Sequence, residues 1–259
     1  LGLDYDSLKE ECPTLVYCSV SGYGQEGPRS GSPGYAAIVH ATSGFDSAWQ
    51  ASQGTGAQPP TFGIQIADVV AASFAAMAIQ SALLARLRTG CGQHIDLSLA
   101  EGMMALMPLE LVRAQFPADS RRAMYRPVRT ADGFVVITPI TQGNFLDLCA
   151  AMSREELQND SRFATPIARS ANWDALLSEV GKWTAQRDSA SCVMELAHRG
   201  VPAANYRTVA EALVDPQLQS RGFLGRARDA AGETTVANLP FRLNGAPVRA
   251  GVANVPRLG

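Results

Sequence analysis

A single carboxylate stands at the head of a long apolar stretch. In the segment TFGIQIADVVAASFAAMAIQSALLARLRTGCGQ, residues 61–93, Asp68 is the only charged side chain before Arg86. Near the start of a helix, the helix dipole and the unpaired backbone N–H groups favour an ionised carboxylate. An ionised carboxylate that is held partly away from water is a competent nucleophile towards an activated acyl group. The simpler alternative is that Asp68 only caps the helix, because acids are enriched there for stability alone.

The cysteines and histidines show no spacing that indicates a functional site. Five cysteines occur without a CxxC pair, and three histidines lie far apart without the spacing of metal ligands. An odd number of unpaired cysteines favours reduced thiols in a cytoplasmic protein, and we expect no metal site. His40 lies in a helical and mostly apolar stretch, so we interpret it as a core histidine.

The elements around Asp68 alternate between strand and helix. Apolar residues recur at three- and four-residue steps over 67–88, which predicts a helix, and Gly90 suits the left-handed residue that follows a helix. The flanking elements are a strand at 14–24 running into a loop, a Gly- and Pro-rich loop at 24–35, a helix at 36–43, a loop at 52–60, a strand at 93–99 and a helix at 100–116 bent at Pro108. This order predicts an α/β sheet domain with crossover connections.

A different pattern begins after residue 117 and predicts a smaller α+β unit. Its elements are a hairpin at 125–140 with an Asp132-Gly133 turn, helices near 142–152, 172–186 and 189–199, and an extended piece, a short helix and a Pro-containing turn within 201–223. The final thirty residues are punctuated by Gly and Pro and are expected to be irregular. We therefore expect a large-domain part at 1–120, a small domain at 121–229, and an irregular segment at 230–259 that returns towards the large domain.

Composition excludes several classes of protein. The 259 residues are 46% hydrophobic and 18% charged, which suits a globular chain with a sizeable core. The net charge is -2, from 22 basic and 24 acidic residues, so nothing indicates a nucleic-acid or membrane-surface partner. The uncharged run at 69–85 is slightly short for a bilayer and contains polar residues, so we expect a buried helix of a soluble protein.

Four segments of the chain resemble the class III (CaiB/BaiF-type) CoA-transferase family. They are SVSGYGQEGP, SPGYAAIVHATSGF, IADVVAASFAAMAIQSALLARLRTGCGQHIDLSLAEGM and, further on, GVPAANYRTVAEALVDPQLQSRGF. The family includes formyl-CoA transferase, carnitine CoA-transferase and alpha-methylacyl-CoA racemase, and the resemblance covers nearly the whole chain. It implies an incomplete Rossmann-like open sheet domain and a small α+β domain in an interlocked homodimer. It also implies that the family's first sheet strands precede the point that matches Leu1.

The resemblance assigns roles to particular residues. It implies that Asp68 attacks the thioester of an acyl-CoA, so that CoA moves to a small carboxylic acid through aspartyl anhydride and thioester intermediates. CoA is then a substrate, and no separate cofactor is expected. Gly34, Tyr35 and Ala36 would line the thiol end of CoA, whereas by residue type alone Gly34 is a turn glycine and Tyr35 a core aromatic. The run RRAMYRPVR at 121–129 fits either the CoA phosphates or a solvated hinge.

Three departures from the family pattern bear on the function: the first affects how the nucleophile is oriented, and the other two remove both groups with which a racemase moves a proton. Ala36 stands where the transferases usually carry an acid, and Tyr35 stands where the racemases carry a catalytic histidine. An acid that the racemases have near Thr141 or Gln142 is also absent. The alternatives to CoA transfer are an acyl-CoA racemase or intramolecular CoA isomerase of the same fold, and a non-catalytic partner subunit that binds acyl-CoA.

Overall fold

The computed structural model describes residues 2–53, 58–59, 63–116, 125–229 and 232–249. The chain divides into two compact units, Leu1–Ala123 and Met124–Gly259. Each unit combines helices with strands, which confirms the predicted mixed α/β fold. The predicted boundary near residue 120 lies outside the described residues, as do 250–259.

The first unit contains one parallel strand pair and the helices that cover it. Its elements are α1 Tyr5–Leu8, β1 Val16–Ser21, α2 Ala36–Thr42, α3 Phe45–Gln53, α4 Ile66–Thr89, β2 Gln93–Ser98, α5 Leu99–Ala105 and α6 Pro108–Gln115. β1 and β2 run parallel, with Val16 opposite Gln93 and Ser21 opposite Ser98. Parallel neighbours require a crossover connection, and α2 to α4 provide it here.

The return from α4 into β2 depends on two glycines. Gly90 has φ 73° and ends α4, as the sequence predicts. A Cβ at Gly92 would lie 1.9 Å from the carbonyl oxygen of Leu15, so only glycine allows the chain to pass so close to the residue before β1. The Gly92 N–H donates to the carbonyl of Pro13 at 2.8 Å, which aligns the two strands from their first residues.

Helix α4 is less buried than its composition indicates. Its buried positions are alanines, at 67, 71, 75 and 82, and they form one narrow stripe. Large apolar side chains on its other faces are exposed, with Val69 at 63% and Leu87 at 82%. Our expectation of a buried helix is therefore wrong for the described residues, because only alanines are fully buried, while Val70 and Phe74 face Gly102 of α5 from half-buried positions.

Among the described residues, α4 is the one helix that is long and apolar enough to cross a membrane, judged by length and composition only. Core helices of soluble proteins can have the same length and apolar composition, so one such helix is weak evidence for a membrane protein. Because α4 packs against β1, β2 and α5, it belongs to the fold of this unit.

Two details of the first unit differ from the prediction. Helix α3 was not expected, and it extends to Gln53, inside the predicted loop at 52–60. Residues 54–57 and 60 of that loop lie outside the described residues. The expected bend at Pro108 is a complete break between two helices. Pro108 is the first residue of α6, where its missing N–H leaves no helical hydrogen bond unmade.

The second unit is built around a three-stranded sheet with helices. Its elements are β3 Val128–Arg129, β4 Phe134–Ile137, α7 Gln142–Ala151, a 3₁₀ helix at Glu155–Asn159, α8 Pro166–Ala171, α9 Trp173–Thr184, α10 Ser189–His198, β5 Ala203–Asn205, α11 Val209–Leu213, α12 Pro216–Ser220, β6 Leu224–Asp229, β7 Gly232–Ala237, β8 Arg242–Leu243 and β9 Ala246–Pro247. β4 pairs antiparallel with both β3 and β5. The core includes the fully buried side chains Val135, Phe145, Leu148, Phe163, Leu176 and Leu196.

The predicted hairpin and the three predicted helices of this unit are present. The turn is held by Asp132, whose Oδ1 accepts hydrogen bonds from the Ser189 N–H and Oγ at 2.8 Å and from Thr130 Oγ1 at 3.0 Å. One carboxylate thereby ties the β3–β4 turn to the start of α10.

The last part of the chain is more regular than expected. Pro216 begins helix α12 instead of forming only a turn, since proline is well placed at a first helical position. Where we expected irregular structure, β7 pairs with β6 over Gly232–Ala237 and β8 pairs with β9. Gly245 lies in the turn between β8 and β9, whereas Pro247 lies in β9 itself.

Candidate active site

Asp68 is the third residue of α4 and its side chain is exposed. The residue at the N-cap position is Gln65, which makes no side-chain capping bond. Among the described residues Asp68 accepts no hydrogen bond and forms no ion pair, so the capping alternative does not describe it. The partial burial that we expected is also wrong for these residues, because Ala67 and Ala71 occupy the inward positions and Asp68 points outward.

The segment Gly34-Tyr35-Ala36 leads directly into α2. Tyr35 is the residue before the helix, with φ −73° and ψ 154°, and its ring is 77% exposed. The interpretation of Tyr35 as a core aromatic is therefore wrong. Ala36 is 6% exposed and belongs to the same core cluster as Ala67. This cluster brings the start of α2 and the residue before Asp68 together. The Ala36 side chain itself is buried in the core.

Gly34 makes a close contact between two backbones. A Cβ on Gly34 would lie 2.2 Å from the Cα of Gly22, and a Cβ on Gly22 would lie 2.5 Å from the Cα of Gly34. Neither glycine has a positive φ, so the constraint is the lack of space and not the backbone conformation. The loop after β1 is thus pressed against the entry to α2.

The rest of that loop is held by β2 and α2. The N–H of Gln25 donates to Oδ2 of Asp96 at 2.9 Å. The Tyr23 hydroxyl lies 3.3 Å from Thr42 Oγ1, and the Arg29 guanidinium lies 3.7 Å above the Tyr23 ring. We did not single out Asp96 from the sequence; an acid in the alternating strand pattern looks like a solvent-facing residue.

His40 connects α2 to the start of α4. It is 2% exposed, which confirms the interpretation as a core histidine. Its Nε2 accepts a hydrogen bond from the backbone N–H of Ala67 at 3.2 Å, and its ring lies 5.5 Å from that of Phe45. The residue before Asp68 is therefore bonded to the helix that begins at Ala36.

The arginine run at 121–129 lies partly outside the described residues. Arg121 and Arg122 lie outside them. Arg126 forms an ion pair with Asp174 at 3.2 Å, and Arg129 lies 5.6 Å from the centre of the Phe134 ring. Both described arginines therefore have partners within the second unit.

No alternative nucleophile emerges from the buried thiols of the second unit. Burial raises the pKa of the Cys149 thiol to about 11, and burial also raises the pKa of Cys192. Both thiols are therefore protonated at neutral pH and inert. In the part of the chain that the structure describes, no group of three or more His, Cys, Asp or Glu side chains could hold a metal ion.

Known proteins are similar to this chain in sequence and in fold. The model of CoA-transferase family III matches residues 1–259. The chain is 33% identical over 230 residues to the succinate–glutarate CoA-transferase of Agrobacterium fabrum, which covers 85% of this chain and 57% of that protein. It is 33% identical to the succinyl-CoA–D-citramalate CoA-transferase of Chloroflexus aurantiacus over 258 residues, which covers 95% of this chain and 63% of that protein. The chain thus spans about three fifths of the length of these curated relatives.

Solved structures of similar proteins share the fold of this chain. A CaiB/BaiF family protein from Brucella suis superposes with a TM-score of 0.76 at 32% identity, covering 97% of this chain and 68% of the other. A protein from Mycobacterium tuberculosis superposes with a TM-score of 0.84 at 26% identity, covering 98% and 70% of the two chains. Because the family model matches from the first residue to the last and the fold is shared, the chain belongs to CoA-transferase family III.

Proposed function

We propose that this protein moves CoA from an acyl-CoA to a carboxylic acid, with Asp68 as the nucleophile. The observation that carries the proposal is the position of Asp68: an exposed carboxylate in the first turn of α4, at a helix start that is bonded to α2. The helix dipole favours the anionic carboxylate there. Family membership supports the same chemistry, since the curated relatives are named as CoA-transferases.

The proposed reaction proceeds through two kinds of covalent intermediate on Asp68, an anhydride and a thioester. Its carboxylate oxygen attacks the thioester carbonyl, the C–S bond breaks, and CoA leaves as the thiolate, which produces an acyl–aspartyl anhydride. The thiolate then attacks the aspartyl carbonyl of the anhydride and releases the first carboxylate, which leaves an aspartyl–CoA thioester. The incoming carboxylate repeats the sequence in reverse and departs as the new acyl-CoA. Division into such steps replaces one difficult exchange by easier ones.

The segment Gly34-Tyr35-Ala36 is proposed to receive the thiol end of CoA. The exposed Tyr35 ring supports this role, because it offers apolar surface and a hydroxyl to a ligand. Ala36 has a buried side chain, so its contribution would come from the backbone. Backbone N–H groups that face a developing oxyanion stabilise it strongly when they are fixed in advance, and the contact between Gly22 and Gly34 supplies such rigidity.

The acids that we propose as substrates are dicarboxylic acids. Succinate and glutarate occur in the name of one relative, and succinyl-CoA and D-citramalate in that of another. Two carboxylates in one molecule offer one group to react and a second for recognition by a cation or by N–H donors.

A cytoplasmic homodimer is the proposed form of the whole protein. The five cysteines are free thiols, which supports a reducing compartment. The exposed apolar faces of α4 support association, because monomeric soluble proteins rarely leave a large apolar patch uncovered.

The test of the proposal compares two acids in equivalent helical positions. Asp68→Asn in the full-length protein should lower kcat for CoA transfer by about 10³-fold or more, since the nucleophile is removed. Glu110→Gln is the matched control: Glu110 is the third residue of α6 and its ion pair with Arg113 is exposed, so activity should be retained.

Trapping identifies the intermediate. Hydroxylamine added during turnover with succinyl-CoA and glutarate should convert Asp68 to a hydroxamate that mass spectrometry locates. Full activity in Asp68→Asn would overturn the proposal. Proton exchange at the α-carbon without an acceptor acid would indicate a racemase instead, and acyl-CoA binding with neither reaction would indicate a passive subunit.

A further inference from the structure

We propose that His40 is a positioning residue for Asp68: its Nε2 replaces the missing N-cap of α4 and fixes the first turn of the helix that carries the nucleophile. The inference rests on the proposed function for its kinetic part. Its structural part stands on the hydrogen bond from the Ala67 N–H to His40 Nε2 at 3.2 Å.

The start of α4 lacks an ordinary cap. The first backbone N–H groups of a helix have no intrahelical acceptor, and a Ser, Thr, Asp or Asn side chain usually accepts one of them. Gln65 holds the N-cap position here and makes no such bond. Ala67 is 1% exposed, so water is a poor substitute as an acceptor for its N–H. A buried donor without an acceptor is costly, and His40 removes that cost.

The geometry specifies how the imidazole takes part. A ring nitrogen accepts a hydrogen bond only when it carries no proton, so Nε2 of His40 is unprotonated and the neutral ring carries its proton on Nδ1. The ring is 2% exposed and lies against Phe45. It extends from α2 next to Val39, which is fully buried in the cluster that also holds Ala36 and Ala67. The acceptor is therefore held in place by the core.

The bond has a consequence for Asp68. Asp68 follows Ala67 directly, and among the described residues its own side chain has no partner to fix it. Its position thus depends on the backbone of the first turn. The same α2 that carries His40 begins at the residues proposed to receive CoA, so the hydrogen bond sets the nucleophile relative to the bound thioester. A displacement of about 1 Å can lower a rate by as much as roughly 100-fold.

A pair of variants separates the acceptor from the volume of the side chain. His40→Gln places an amide oxygen near the position of Nε2, whereas His40→Met has a similar length and no comparable acceptor. In the full-length protein, His40→Met should speed amide hydrogen exchange at Ala67 and Asp68 and lower kcat by roughly 10- to 100-fold, with the KM for acyl-CoA nearly unchanged. His40→Gln should restore both exchange protection and kcat.

A third variant controls for loss of stability alone. Leu176→Ala removes core volume from the second unit and leaves the cluster around His40 intact, so it should lower the unfolding temperature but leave kcat close to that of the wild type. Wild-type exchange at Ala67 in His40→Met, or equal losses in the Met and Gln variants, would overturn the inference.

The design also separates this inference from the proposed function. If the wild-type protein transfers no CoA, the proposed function fails, and the exchange data for the Met and Gln variants still decide whether His40 caps α4. If transfer depends on Asp68 but both His40 variants react as fast as the wild type, the inference fails and the proposed function stands.

Discussion

At the scale of single residues, two carboxylates show how position decides role. Asp68 is exposed in a first helical turn without a partner among the described residues, whereas Asp132 accepts three hydrogen bonds from Thr130 and Ser189. A carboxylate whose oxygen is saturated by donors is stabilised and unreactive, and one with free lone pairs can attack. The difference makes Asp132 a structural residue and leaves Asp68 available for chemistry.

Asp132 should make the second unit sensitive to acid. Hydrogen bonds from the Ser189 side chain and backbone, and then from Thr130, hold the pKa of Asp132 below its ordinary value of 3.8. A carboxyl with a depressed folded-state pKa stabilises the fold above its unfolded pKa, and the stabilisation is lost as the pH falls through the folded value. The urea midpoint of this unit should therefore decline below about pH 4.

The variant Asp132→Asn tests this assignment. It should lower the urea midpoint at neutral pH and weaken its dependence on acid, because a neutral amide oxygen accepts weaker hydrogen bonds than a carboxylate oxygen and does not titrate. Asp147→Asn, an exposed acid on α7, is the control and should leave the midpoint unchanged. An identical pH dependence in Asp132→Asn and the wild type would contradict the prediction.

At the scale of elements, the loop after β1 and the start of α2 form one rigid body because Gly22 and Gly34 touch. Gly34→Ala should force the two backbones apart, which lowers the free energy of unfolding by about 1–3 kcal/mol and raises the KM for acyl-CoA. Gly31→Ala is the matched control, since a Cβ on Gly31 meets nothing within 4 Å. Thermal unfolding and steady-state kinetics measure both effects. Equal behaviour of the two variants would show that the contact between the backbones is unimportant.

At the scale of the whole molecule, the apolar faces of α4 require a covering surface. The proposed homodimer predicts that light scattering of the full-length protein gives twice the mass of one chain. Interlocked chains cannot separate without unfolding, so dimers with two different tags should form mixed dimers only after denaturation and refolding. A monomeric mass would exclude the dimer, and rapid mixing of native dimers would exclude the interlocking.

Much of the fold could be predicted because local patterns dominate it. The three- and four-residue repeat and Gly90 located α4 to within a residue at each end, and the Asp132-Gly133 turn located the hairpin. The helix α3 and the ribbon of β6 and β7 escaped prediction. α3 runs into a segment whose composition is typical of a loop, and β6 and β7 depend on pairing with each other.

The candidate site likewise contains residues that could be predicted from the sequence and residues that could not. Asp68 could be found from the sequence because a lone charge in an apolar helix stands out, and the resemblance to a family attached a reaction to it. The roles of His40, Asp96 and Gly22 could not be found in that way. Each role is a contact between residues far apart in the chain, such as the one between His40 and Ala67.

By itself, the sequence determined the class of the fold, the family and the candidate nucleophile that we propose, because these depend on residue type and on short-range periodicity. Only the tertiary structure decided that the start of α4 is hydrogen-bonded to α2, that Gly34 contacts Gly22, and that one stripe of alanines of α4 is buried while Asp68 is exposed. Tertiary packing determines these features, since a helix has several faces of similar composition and the neighbouring elements determine which face is buried.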